Sequence, residues 1–190
     1  MKKNKMSVQM LAAIGVMSAL VFITTKFLRI PIPVGVGGKT QVHLGNSMCI
    51  LAGLLFGGIP GGLAAGIGTA IVDLMDPLWA PEFWISFINK FIMGFLAGSI
   101  ANLGKDRTLG KNITAAIVGA LSYVVLYLGK SYLQQVALGS APEAIKAVLL
   151  TKGITSCINA VIAVVVSVLL YHMIAPALKR RNLFTREMKE

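Results

Sequence analysis

Polar side chains recur at helical spacing inside three apolar stretches of this sequence. The three groups are Ser86, Asn89 and Lys90; Tyr123, Tyr127, Lys130 and Gln134; and Lys152, Ser156 and Asn159. Residues three, four, seven or eleven positions apart lie on one face of a helix, so each group predicts a polar stripe. A lysine near the centre of a membrane-spanning helix costs about 2.5–3.5 kcal/mol. Lys90 is therefore expected to face a polar interior rather than lipid.

The chemistry available to these stripes is binding rather than catalysis. The rings of Tyr123 and Tyr127 suit a planar heterocyclic ligand, against which they can stack and to which they can hydrogen-bond. The amines of Lys90, Lys130 and Lys152 suit an anionic or carbonyl-rich compound. Three polar stripes at one depth predict an outward-facing binding cavity. The alternative is that the stripes hydrogen-bond to one another and only hold the helices together.

Three further polar residues are candidates for the same site. Asp73, in the third apolar segment, is expected either to pair with Lys90 or to meet a polar group of the ligand. His43 and Asn46 begin the second apolar segment. The first interpretation of His43 is a histidine at the membrane interface whose hydrogen bonds are made within the protein, and the second is a ligand contact. The candidate substrate-binding residues are His43, Asn46, Asp73, Asn89, Lys90, Tyr123, Tyr127, Lys130, Gln134, Lys152, Ser156 and Asn159.

Sequence motifs of catalysis and of resident metals are missing. Gly129-Lys130-Ser131 is only a fragment of a Walker A motif, because Val124 stands where the earlier glycine is needed. No His-Glu-x-x-His or Gly-x-Ser-x-Gly motif occurs, and Cys49 and Cys157 lie in apolar runs without metal-ligand spacing. We therefore expect a protein that is not an enzyme, holds no cofactor or metal, and hydrolyses no ATP itself.

The composition indicates a membrane protein. The chain has 190 residues, of which 56% are hydrophobic and 13% charged, and its mean hydropathy is +0.78. Soluble domains carry about 25% charged residues, so a soluble enzyme and a nucleic-acid binder are both disfavoured. The net charge of +11 arises from 18 basic and 7 acidic residues. The basic residues stand mainly at the edges of apolar blocks, as the positive-inside rule requires.

The apolar blocks predict an all-α membrane protein with six transmembrane helices in one compact bundle. A spanning helix needs about 20 mostly apolar residues. The predicted spans are about 10–28, 42–56, 63–75, 83–101, 113–136 and 147–174, in a single integral membrane domain, 1–190, that ends in a basic tail, 179–190. Segments two and three can alternatively form a re-entrant pair. The proline and glycine residues between Ile30 and Gly38 predict a break that sustains neither a helix nor a β-ladder.

Six crossings place both termini on one side, and the charges select the cytoplasm for that side. The basic residues expected there are Lys2, Lys3, Lys5, Lys105, Arg107, Lys111, Lys179, Arg180, Arg181, Arg186 and Lys189. The opposite loops hold Lys26, Arg29, Lys39 and Lys146.

Small residues at helical spacing predict close helix packing in lipid. In segments three and four they are interpreted as internal packing residues. In segment one, Ala12, Gly15 and Ala19 share a face that is expected either to pack internally or to dock against a helix of another subunit.

Taken together, these features resemble the S components of energy-coupling factor (ECF) vitamin transporters, in particular the branch named for riboflavin. The passages that carry the resemblance are Gln41–Asn46, Leu51–Gly58, Gly61–Asp73 and Ile88–Lys90 with Gly94, Ala97 and Gly98. The resemblance implies a six-helix protein of the prokaryotic plasma membrane that binds a vitamin at the extracellular side. Its implied partners are a transmembrane coupling subunit and two cytoplasmic ATPases.

The resemblance also suggests roles for particular segments. The stretch from Arg29 to Gln41 matches a loop that covers the ligand, and Gly15 and Ala19 match a docking stripe on the first helix. The loaded subunit is implied to topple in the membrane as its partners hydrolyse ATP. Riboflavin is the first candidate ligand, with pyridoxine-type compounds, pyrimidine thiamine precursors and pantothenate also possible.

Two other functions are compatible with this sequence. A stand-alone secondary transporter or facilitator for a small polar solute would need two gated repeats, and no internal repeat is evident. A structural membrane subunit without a ligand would leave the three polar stripes bonded to one another.

Overall fold

A computed structural model describes residues 7–34, 38–104 and 107–180. The helices are α1 (Val8–Lys26), α2 (Gly45–Phe56), α3 (Gly58–Leu74), α4 (Phe83–Ala101), α5 (Leu109–Ala137) and α6 (Pro142–Arg180). Strands β1 (Arg29–Val34) and β2 (Gly38–His43) lie between α1 and α2, and a 3₁₀ turn, Ala80–Glu82, precedes α4. The described chain is thus mostly helical but not all-α, because the predicted break contains a β-hairpin.

One helix falls on each of the six predicted segments, and four of them are long and apolar enough to cross a membrane. These four are α1, α4 with its 3₁₀ turn, α5 and α6. Helices α2 and α3 are also apolar but have only 12 and 17 residues, or about 18 and 26 Å at 1.5 Å per residue.

The bounds of several helices differ from the prediction. Helix α2 starts three residues later, at Gly45, because the preceding residues belong to β2. Helix α3 starts at Gly58, because only Gly57, with a φ of 87°, separates it from α2. Pro60 is tolerated because the first turn of a helix needs no N–H donor there. Helix α6 continues to Arg180, so the predicted tail begins in helix and its remainder, 181–190, lies outside the described residues.

The prediction that the Ile30–Gly38 stretch sustains no ladder is wrong. Strands β1 and β2 pair antiparallel from Arg29 opposite His43 to Val34 opposite Gly38. The N–H of Leu44 donates to the carbonyl of Leu28 at 3.3 Å. This bond indicates that the backbone N–H and C=O groups of the even-numbered residues of β1 point toward β2. Pro31 and Pro33 therefore lie with their nitrogens on the outer edge, where no ladder donor is needed.

Helices α2, α3 and α4 pack closely through glycine. A Cβ atom at Gly98 of α4 would overlap the backbone of Gly57 and Gly58, and one at Gly53 would overlap the backbone of Gly94. The prediction that the small residues of segments three and four serve internal packing is confirmed. Helix α1 packs on α2 and α3, α5 packs on α4, and α6 packs on α2 and α5.

We expect Gly98→Ala to destabilise the bundle by about 1–3 kcal/mol, the usual cost of overpacking. The melting temperature of the purified protein in detergent should fall. Gly129→Ala is the matched control, because a Cβ atom at Gly129 of α5 would meet nothing within 4 Å. Equal melting temperatures for the two variants would contradict the close packing of α4.

Candidate functional site

The three polar stripes meet at a cavity beside the hairpin. Its volume is about 50 Å³, and strand β2 forms one wall while α1 and α3–α6 form the others. The lining residues are Thr25, Thr40, Gln41, His43, Thr69, Asp73, Trp79, Ser86, Asn89, Lys90, Tyr123, Tyr127, Lys130, Ser156 and Asn159. The polar side chains of separate helices therefore converge on one space.

Most of the candidate substrate-binding residues line this cavity, but three do not. Asn46 lies behind Lys90 and accepts a hydrogen bond from its Nζ atom. Gln134 donates to Glu82 instead. Lys152 donates to Oγ of Ser131 at 3.1 Å. These three side chains support their neighbours rather than facing the cavity.

Lys90 is a deeply buried cation at the cavity wall. Its side chain is only 3% exposed, and its Nζ atom lies 3.4 Å from the centre of the Tyr123 ring. The ion pairs among the described residues are Arg29 with Asp76 and Lys130 with Glu82. The alternative in which Asp73 pairs with Lys90 is therefore wrong. Within this part of the chain, the Nζ atom of Lys90 contacts an amide oxygen and an aromatic face, and the Asp73 carboxylate lies beyond ion-pair distance.

Asp73 presents a buried acceptor at the same cavity. The residue is 8% exposed, and its Oδ2 atom has no hydrogen-bond partner among the described residues. Ser86 is the hydrogen-bonding neighbour of this carboxyl group, and Lys90 and Lys130 interact with it electrostatically. A buried acceptor without a partner costs about 1–3 kcal/mol. Such an atom at a cavity wall is suited to an N–H or O–H donor of a ligand.

The other two lysines of the stripes are already partnered. Lys130 forms an ion pair with Glu82, which also accepts from Gln134. Lys152 lies 5.4 Å from the centre of the Tyr127 ring in addition to its bond to Ser131. Of the three lysines, Lys90 is the one that both lines the cavity and has no carboxylate partner among the described residues, so a carbonyl or an anion would satisfy it best.

His43 ends strand β2 instead of beginning α2, so its predicted position is wrong. Burial, helped by the charges of Lys90 and Arg29, lowers the pKa of His43, so the imidazole stays neutral at physiological pH. Its Nδ1 atom accepts from the N–H of Gly45 at 3.1 Å, which leaves the ring proton on Nε2.

Two of the predicted binding residues also hold the hairpin. Asn159 accepts from the backbone N–H of His43 at 3.0 Å and donates to the carbonyl of Gln41 at 2.8 Å. The hydroxyl of Tyr127 donates to Oγ1 of Thr40 at 3.3 Å. The rings of Tyr123 and Tyr127 stack with centroids 5.6 Å apart and planes 13° apart, so together they form one aromatic wall.

The candidate set missed several residues that line the cavity. Thr25, Thr40, Gln41 and Trp79 come from the end of α1, from β2 and from the loop after α3. Helical periodicity gives no signal for a strand or a loop, so it could not indicate Thr40, Gln41 or Trp79, and Thr25 of α1 belongs to none of the predicted stripes. Their type is compatible with the site, since all four carry hydrogen-bonding groups.

The predicted docking stripe on α1 faces outward. Ala12, Gly15 and Ala19 are exposed, and a Cβ atom at Gly15 would meet nothing within 4 Å. Leu11 and Val16 on either side are 52% and 63% exposed. The alternative of internal packing is therefore wrong for this stripe within the described residues, and docking remains the other interpretation.

Comparison with known proteins gives one family match and one structural match. A family model described as ECF-type riboflavin transporter, S component, matches residues 5–176. A solved structure reported under "Structure and mechanism of the S component of a bacterial ECF transporter" has the same fold, with a TM-score of 0.65 and 19% identity. The match covers 90% of this chain and 98% of that one. No curated protein sequence matches.

Proposed function

Since this chain belongs to the family of S components of ECF-type riboflavin transporters, we propose that it captures riboflavin at the extracellular side for ATP-driven uptake. Membership confirms the resemblance and makes the protein a substrate-specific membrane subunit of an ECF transporter. Riboflavin is the first choice because the family carries its name. Pyridoxine-type compounds, pyrimidine thiamine precursors and pantothenate are the alternatives.

The observation that carries this proposal is the pair of unsatisfied groups at one cavity. Lys90 offers N–H donors without a carboxylate partner, and Asp73 offers an oxygen without a donor, among the described residues. Tyr123 lies beside Lys90. A planar heterocycle with a carbonyl next to an N–H group satisfies both polar groups and contacts the aromatic wall.

The size of the cavity supports a role for the hairpin in capture. A volume of about 50 Å³ holds only a few water molecules, so a ring system needs additional space. Strand β2 is the wall most able to supply it, because the other walls are packed helices. This position agrees with the loop, from Arg29 to Gln41, that the resemblance assigns to covering the ligand.

We also propose how the protein lies in the membrane, from its charge distribution and its family resemblance. The 1–190 domain crosses the prokaryotic plasma membrane six times, with both termini and the 179–190 tail in the cytoplasm. The tail and most of the basic residues behind this orientation lie outside the described side chains. The charge distribution supports the orientation, and toppling during transport is adopted from the family resemblance.

The partners are proposed to be a transmembrane coupling subunit and two cytoplasmic ATPases. The small-residue stripe Ala12, Gly15 and Ala19 supports docking on α1, because lipid-exposed small residues allow a second helix to approach closely.

Identification of the small molecule that co-purifies with the protein tests the proposal. We expect mass spectrometry to find riboflavin, and we expect titration of ligand-free protein with each candidate vitamin to rank riboflavin first. Uptake into cells should require the ATPase partners. Uptake without them would favour a stand-alone transporter, and the absence of any bound vitamin would favour a structural subunit.

A further inference from the structure

The outer edge of strand β2 is completed by a side chain of α6. In a two-stranded hairpin, the backbone groups of β2 that point away from β1 have no strand to pair with. Asn159 bonds two of them, the N–H of His43 at 3.0 Å and the carbonyl of Gln41 at 2.8 Å. An amide side chain carries its acceptor oxygen and an N–H donor side by side, so Asn159 bonds both of these backbone groups at once.

The other polar contacts between the described hairpin residues and the helices are weaker. Tyr127 donates to Thr40 at a longer distance, 3.3 Å. Arg29 pairs with Asp76 at 3.5 Å, with about a quarter of each side chain exposed. Ion pairs with that exposure contribute little, typically about 0–1 kcal/mol. Asn159, by contrast, is only 4% exposed and makes two hydrogen bonds.

We infer that Asn159 is a positioning residue that fastens the hairpin over the cavity and thereby limits how fast ligand enters. The inference rests on the proposed function, since it assumes that the cavity receives the ligand. It assigns to Asn159 a contact with β2 in place of the direct ligand contact expected from the sequence. Loss of its amide frees the edge of β2, so the hairpin opens more often.

The first test measures opening without any ligand. A cysteine introduced by Ser86→Cys at the cavity wall, in a Cys157→Ala background, is modified with a charged methanethiosulfonate reagent. Proteins that carry the same changes but keep Ser86 give the background rate of modification, which comes from the buried Cys49. We expect Asn159→Leu and Asn159→Asp to accelerate modification about ten-fold, as the loss of one or two hydrogen bonds predicts.

Thr155→Val is the matched control, because Thr155 is a buried polar residue of α6 that does not line the cavity and donates to the carbonyl of Thr151 in its own helix. Its modification rate should equal that of the parent. Two variants of similar size guard against a folding defect in one of them. Unchanged rates in a folded Asn159 variant overturn the inference.

The second test uses the fluorescence of riboflavin to follow binding in time. Faster opening raises both the association and the dissociation rate constants. A side chain that only contacts the ligand would raise the dissociation rate alone, and that result would also overturn the inference. Failure of the parent protein to bind riboflavin counts against the proposed ligand, whereas the thiol test still decides the role of Asn159.

Discussion

Replacing Lys90 with methionine is expected to weaken riboflavin binding by about 10- to 100-fold. A hydrogen bond from a charged donor contributes about 1.5–3 kcal/mol, and each 1.4 kcal/mol is about a factor of ten in affinity. Lys90 is buried beside Tyr123 and has no carboxylate partner among the described residues. Methionine keeps the length of the side chain and removes its donors. Equilibrium titration of the purified protein measures the effect.

Lys152→Met is the matched control for this experiment. Lys152 is also a buried lysine, but it donates to Ser131 and does not line the cavity. We expect its replacement to leave the affinity close to that of the parent. We also expect Lys90→Met to fold, because Lys90 has no ion-pair partner among the described residues, so the substitution removes a costly buried charge and leaves no opposite charge unpaired. Equal affinities for parent and Lys90→Met would return Lys90 to a structural role.

Replacing Gly15 with leucine is expected to abolish ATP-dependent uptake while leaving ligand binding unchanged. The stripe that Gly15 shares with Ala12 and Ala19 is exposed, and a Cβ atom at Gly15 would meet nothing within 4 Å among the described residues. A bulky side chain in a small-residue interface between helices prevents close approach. A cost of about 1–3 kcal/mol weakens association with the coupling subunit roughly 5- to 150-fold.

Gly129→Leu separates docking from a general effect of bulk. Gly129 of α5 is likewise exposed, and a Cβ atom there also meets nothing within 4 Å. Uptake should persist in this variant, and the coupling subunit should co-purify with it but not with Gly15→Leu. If Gly15→Leu retains full uptake, the partner docks on another face of the bundle.

The Lys90 experiment addresses how an apolar, membrane-embedded chain tolerates a buried polar site. A buried ammonium group is costly unless it is compensated, and here Asn46 and the Tyr123 ring compensate it only in part. Folding has already removed this ammonium group from water. A ligand that supplies the missing hydrogen-bond acceptor therefore gains a favourable interaction without that desolvation cost, and it binds more tightly. The same argument applies to the unpaired Oδ2 atom of Asp73.

The positions facing the cavity followed largely from helical spacing. Asn89, Lys90, Tyr123, Tyr127 and Ser156 belong to predicted stripes, and all of them line the cavity. This succeeded because lipid imposes a uniform penalty on polar groups, so a polar side chain in an apolar helix must turn inward.

Several of the failures arose where the chain is not helical. Trp79 lines the cavity from a loop, and Gln134 is drawn to Glu82, which closes the 3₁₀ turn before α4. Pro31 and Pro33 were expected to exclude a ladder. Because they are two residues apart, however, the nitrogens of both point to the outer edge of β1, where the ladder needs no N–H donor. Local propensity describes one residue, whereas a hairpin depends on which edge that residue occupies.

The sequence by itself determined that this is a helical membrane protein with polar stripes and the motifs of an S component. Hydropathy, helical spacing and short motifs can all be read from residues that lie close together in the chain. Only the tertiary structure decided that Asn159 holds the backbone of β2, 116 and 118 positions away along the chain. It also decided that Lys90 bonds Asn46 rather than Asp73. Partner choice among distant polar groups depends on how the helices and the hairpin pack, and no spacing along the chain encodes those distances.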